Sequence, residues 1–80
     1  MKFKQTLVEV FIFKNGMVAV FDERLQQMPF FQGRQDIAMP KIKSRIKRQK
    51  PCSVIWQIAQ GVTWEGKMQE HSKTEVVKYE

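Results

Sequence analysis

Residues 41–50 read K-I-K-S-R-I-K-R-Q-K, and whether they form a helix or a strand decides the fold. As a helix, the segment has Pro40 in its first turn, where a missing N–H costs little, and Pro51 to end it. Met39, Ile42 and Ile46 then share one stripe, which Gln49 continues, and every other position from Lys41 to Lys50 except Ser44 is a cation. As a strand, Ile42, Ser44 and Ile46 alternate with Lys41, Lys43, Arg45 and Lys47, so periodicity alone allows both. The flanking prolines and the helix propensities of Lys, Arg and Gln favour a helix over about 40–50.

On the N-terminal side, 6–13 (T-L-V-E-V-F-I-F) is rich in β-branched and aromatic residues and predicts a strand. Residues 17–22 (M-V-A-V-F-D) predict its return, and Asn15-Gly16 is the pair that best accepts the positive φ angles of a type I′ turn. A two-residue loop pairs Phe13 with Val18, Ile12 with Ala19, Phe11 with Val20, Val10 with Phe21 and Glu9 with Asp22. One face then carries Val8, Val10, Ile12, Met17, Ala19 and Phe21, and the other Phe11, Phe13, Val18 and Val20. Both faces are apolar, so each asks for a cover. Residues 23–35 contain Pro29 and Gly33 without a clean period and read as a loop, with Phe30-Phe31 tucked under the sheet.

On the C-terminal side, 53–59 (S-V-I-W-Q-I-A) predicts a strand with Val54, Trp56 and Ile58 on one face. Gln60-Gly61 turns the chain, 62–65 returns it, Gly66 marks a bulge or second bend, and 73–79 closes the set as a strand. The expected architecture is α+β: an N-terminal β-hairpin, one basic helix and two or three C-terminal strands, the helix lying on a small antiparallel sheet. A strand at 41–50 would give instead an all-β SH3-like or OB-like small barrel.

The chain has 80 residues, which make one small domain, 1–80. It carries 14 Lys or Arg and 8 Asp or Glu, and outside 41–50 the two signs are equal, so the whole net charge of +6 resides in those ten residues. Six cations with no interspersed acid are unusual for a plain solvated face, although Lys and Arg stems packing on a helix with their heads in water is the simplest account of such a run. Polyanion binding draws its affinity from counterions released from phosphates. Lys41, Lys43, Arg45, Lys47, Arg48 and Lys50, assisted by Arg34, are therefore the candidate nucleic-acid contacts of a non-enzymatic binding protein. Six duplex phosphate contacts would give a logarithmic salt slope of about −5. Trp56, Trp64, Phe11 and Phe13 are candidates to stack on unpaired bases, the tryptophans more simply as core. The alternative partner is an acidic protein surface, and the two-sided apolar hairpin makes self-assembly as a homodimer the alternative function.

Other chemistry is sparse. Glu9 opposite Asp22 reads first as a like-charge pair at the solvated end of the hairpin, with Arg24 or another cation nearby, and as a paired-carboxylate site only as the alternative. Cys52 reads as a small buried hydrophobe and His71 as a surface loop residue, although the two would be a catalytic pair if they met in space. One Cys and one His fall short of a zinc set, and no phosphate-cradling glycine motif is present, so no catalytic residue, metal or cofactor is expected. The single Cys52 cannot form an intramolecular disulfide. Lys2 and Lys4 before an apolar run imitate a signal peptide, but Glu9 and Lys14 interrupt that run. No stretch approaches the roughly 20 apolar residues of a membrane span. The expectation is a cytoplasmic protein with no membrane insertion.

Overall fold

Leu7–Ile12 (β1) and Met17–Asp22 (β2) pair antiparallel in the computed structural model, which describes residues 5–80. Lys2 and Lys4 of the signal-like segment lie outside the described residues. The hairpin exists where the β-branched and aromatic residues require it, but its register differs by one residue from the two-residue-loop expectation. Ile12 faces Val18, Phe11 faces Ala19, Val10 faces Val20 and Glu9 faces Phe21. Three residues, Lys14, Asn15 and Gly16, make the loop: the Phe13 N–H donates to the Met17 carbonyl at 2.8 Å, and Gly16 takes φ +82°. Asn15 Oδ1 accepts from the Met17 N–H at 3.0 Å, so Asn15 serves the loop through its side chain. A three-residue loop with a left-handed glycine is the next commonest hairpin connection, and sequence signals do not separate it from the two-residue form.

That single residue rearranges the faces, because side chains alternate along a strand. Val10 and Ile12 now share a buried face with Val18 and Val20, while Phe11, Ala19 and Phe21 share the other. The two-residue turn occurs elsewhere. Thr63–Trp64 (β5) and Lys67–Met68 (β6) close a small hairpin around Glu65 and Gly66, at φ +54° and +76°.

Beyond β2, the chain passes a 3₁₀ turn at Pro29–Phe31 and adds Gly33–Arg34 (β3) to the β2 edge before the helix Gln35–Gln49 (α1). Cys52–Ile58 (β4) then enters beside β1, and Lys73–Tyr79 (β7) pairs antiparallel with β4. The five-stranded order is β3-β2-β1-β4-β7. The helix at 41–50 establishes the α+β class over the barrel. The sheet is mixed, not wholly antiparallel, because β4 runs parallel to β1. A helix is the usual crossover between parallel strands, and α1 carries the chain from the β3 edge across the sheet to β4.

The helix starts five residues before Pro40 and covers the face made by Val10, Ile12, Val18, Val20, Val54, Trp56 and Ile58. Its buried side chains are Ala38, Ile42 and Ile46, spaced four apart, with Met39 packed alongside. Proline thus stands inside the helix and not in its first turn. Pro40 and Asp36 are both exposed, so the helical bond that Pro40 omits is one whose carbonyl water can satisfy. Arg34 precedes the helix and pairs with Asp36 at 3.1 Å, where an acid suits the positive helix start.

At the other end of the helix, Gln49 reaches back to β1. Its Oε1 accepts from the Leu7 N–H at 2.9 Å and its Nε2 donates to the Leu7 carbonyl at 2.8 Å. The register of β1 shifts between Leu7 and Glu9, leaving Val8 as an extra residue and turning the Leu7 side chain inward. A bulge interrupts the ladder, and the Gln49 amide supplies the partners that an interrupted ladder lacks.

The Glu9–Asp22 site does not form. Glu9 stands on the uncovered face, where Gln57 Nε2 donates to it at 3.1 Å and Thr74 Oγ1 donates to Gln57 Oε1 at 2.6 Å. Asp22 is buried and serves the following turn, accepting from the N–H groups of Arg24 and Gln26 at 2.8 and 2.9 Å and from Gln5 Nε2. The bond from Gln26, outweighing burial, holds its carboxyl below the ordinary value. Among the described residues no element covers the face opposite the helix. There Phe21 meets Phe11 edge-on at 5.4 Å, and Phe13 stacks beside Phe11 at 6.0 Å.

Candidate nucleic-acid interface

Helical spacing sorts the six cations of 41–50 into two rows. With 100° per residue, Lys41, Arg45 and Arg48 fall on one flank, and Lys43, Lys47 and Lys50 lie about 160° around the axis on the other. The buried Ile42 and Ile46, with Gln49, run between them on the sheet side, and exposed Pro40 and Ser44 form the outer crest. The run that looked like one positive surface is a ridge with two positive sides.

The two sides meet different surroundings. Lys43, Lys47 and Lys50 border the β4–β7 half of the sheet, with Trp56, Tyr79 and the acid Glu65 nearby. Among the described residues these three lysines make no ion pair. Lys41, Arg45 and Arg48 border a groove of about 560 Å³ between the helix and the Pro29–Phe31 turn, and no acid lines it among the described residues. Glu23 acts on Arg45 from outside that lining and is itself held by the Thr6 N–H.

Arg45 is mostly structural. Its guanidinium lies 5.6 Å from the Phe31 ring and donates to the Gln5 carbonyl, and burial first, then the neighbouring Arg48 charge, lowers its pKa. Lys41 is shared: its Nζ stands 4.7 Å over the Phe30 ring and donates to the Phe30 carbonyl at 3.5 Å. Arg34 lies at the opposite end of the helix from Lys50, engaged with Asp36, so it does not join the 41–50 cluster.

None of the four aromatic candidates stands beside the cations as an open ring. Trp56 and Trp64 pack on each other at 5.8 Å and are 3% and 7% exposed; Trp56 Nε1 donates to the Tyr79 hydroxyl at 3.1 Å. Phe11 and Phe13 sit on the sheet face away from the helix. The ring that does stand there is Phe30, 68% exposed, whereas Phe31 is 5% exposed and in the core. Both were expected under the sheet. A 3₁₀ turn sets successive side chains about 120° apart, so adjacent phenylalanines in it cannot both point inward. Pro29 at the start of that turn was the available signal.

Cys52 and His71 lie at opposite ends of the β4–β7 pair. Cys52 faces Tyr79, while His71 precedes Lys73, which faces Ile58, so the two are separated by about 20 Å at 3.3 Å per residue. Among the described residues no group of three His, Cys, Asp or Glu is placed to hold a metal ion, and no helix is long and apolar enough to cross a membrane. No protein-family model, curated protein or solved structure matches this chain.

Proposed function

We propose that this protein binds nucleic acid through the phosphate backbone, using the two cationic flanks of α1. The observation that supports it most is the row Lys43, Lys47 and Lys50: three ammonium groups on one flank, with no ion pair among the described residues to neutralise them. Leaving like charges side by side without counter-charges destabilises a helix, so a chain balanced everywhere else has a reason to concentrate them. A polyanion supplies the counter-charge that one nearby acid, Glu65, leaves incomplete, and returns its condensed cations to solution.

Two flanks facing apart set the number of contacts. One row of three gives a logarithmic salt slope of about −2.7 on duplex DNA, and both rows without Arg45 give about −4.5. Binding of labelled duplex and single-stranded oligonucleotides across a salt series measures it. The triple substitution Lys43→Ala, Lys47→Ala, Lys50→Ala is expected to make the slope shallower by about 3 and to weaken all sequences alike. Affinity that ignores salt, or is unchanged in the triple variant, rejects this reading.

The uncovered sheet face favours a second reading, self-association. Half-buried Phe11, Phe21 and Ile55 form an apolar patch there with exposed Phe13 and Val76, and contiguous apolar surface open to water marks interaction sites. A second copy packing sheet on sheet would cover it. Sedimentation at micromolar concentration is then expected to give a dimer that Phe21→Glu converts to a folded monomer. A wild-type monomer at that concentration removes the idea.

A further inference from the structure

The groove between α1 and the Pro29–Phe31 turn combines one flat, solvent-facing ring with a positive wall. Phe30 stands at its lip. Phe31 packs perpendicular to it, with ring centroids 5.0 Å apart and planes at 89°. The Lys41 ammonium lies against Phe30 and holds the turn through its carbonyl. Ser44, one turn further along the helix, lines the groove with a hydroxyl, and Arg48 adds positive charge at the far end. Pro29 and Pro40 stiffen the two sides.

A large exposed phenylalanine is unfavourable in water, and here it is propped by another ring and not folded away. We propose that this groove takes one unpaired nucleotide of a single strand: the base stacks on Phe30 in place of the Lys41 ammonium, which turns with the Ser44 hydroxyl to the adjoining phosphate. The inference rests on the nucleic-acid reading of the helix and names what one flank of it recognises. The chemistry of the lining selects this ligand. The Lys41 ammonium beside the ring asks for an anion, and an aromatic face asks for a planar partner; a nucleotide carries both within one residue. A duplex offers the phosphates but keeps its bases stacked on each other. An acidic peptide offers charge without needing the ring.

The experiment compares wild type, Phe30→Ala and Phe30→Trp on four probes: oligothymidylate, an abasic phosphodiester strand of the same length, a duplex, and poly-glutamate. Phe30 is exposed, so Phe30→Ala is expected to keep the thermal midpoint of the wild type. Stacking of one base is expected to make Phe30→Ala about 5- to 150-fold weaker on oligothymidylate. The salt slope and the binding of the abasic strand and duplex stay unchanged, and Phe30→Trp restores the affinity. Equal binding of oligothymidylate by Phe30→Ala and wild type overturns the proposal while leaving the helix as a phosphate contact. So does an equal loss on the abasic strand or on poly-glutamate, which would mean that the ring only positions Lys41. Absence of salt-dependent binding to every nucleic acid overturns both readings together.

Discussion

Gln49→Leu is expected to lower the free energy of unfolding by about 2–4 kcal/mol, measured by urea titration. Leucine nearly matches glutamine in volume, so the helix keeps its packing while the Leu7 N–H and C=O both lose their partner. Each backbone group left without a bond away from water costs about 1–3 kcal/mol. Leu7 is fully buried at the point where β1 changes register, so its ladder offers no ready substitute. Gln49→Glu separates the two halves of the clamp. A carboxylate still accepts from the Leu7 N–H but places a second acceptor against the Leu7 carbonyl. It is therefore expected to recover little of the loss at neutral pH and more of it in acid, where the protonated carboxyl donates. If Gln49→Leu unfolds like the wild type, the amide clamp has no part in holding the bulge.

Trp56→Ala is expected to cost about 3–5 kcal/mol, the range for removing a large aromatic side chain from a core. Trp56 lies under the helix in mid β4, packs against Trp64 and ties β4 to β7 through its bond to the Tyr79 hydroxyl. A chain of this size has a total stability of roughly 4–12 kcal/mol, so the alanine variant stands at or near the unfolding threshold. Trp56→Phe keeps a ring, loses the N–H donor, and is expected to cost about half as much. The pair also separates structure from binding. If Trp56→Phe, folded, retains nucleic-acid affinity, the tryptophan is a core residue; a selective loss of single-strand affinity would make it a stacking residue after all.

Much of the fold was legible in short stretches. The strand-forming residues around Glu9, Val18, Trp56 and Val76 all lie in strands, and 41–49 is helical, with Lys50 capping its end. The start of the helix was not legible, because Pro40 imitates a first-turn proline and the anchoring Ala38 is too small to stand out in a hydrophobic pattern. The candidate site was legible in its charge and illegible in its ring. Six cations in ten residues can be counted, but the outward turn of Phe30 against the inward turn of Phe31 depends on a 3₁₀ turn that neither side chain signals.

The sequence by itself determined the element types and the place where the net charge resides, because propensity, proline position and charge act over a few neighbouring residues. Tertiary structure decided the rest. Which hairpin loop closes was decided by the face that α1 covers, since a one-residue slip would exchange Val18 and Val20 for Ala19 and Phe21 beneath it. The parallel entry of β4 beside β1 was decided by the helix crossing the sheet. The division of one basic run into two flanks was decided by which side of the helix the sheet buries. Ile42 and Ile46 must face the core, and their burial points Lys41 and Arg48 towards Phe30 while it points Lys43, Lys47 and Lys50 away from it.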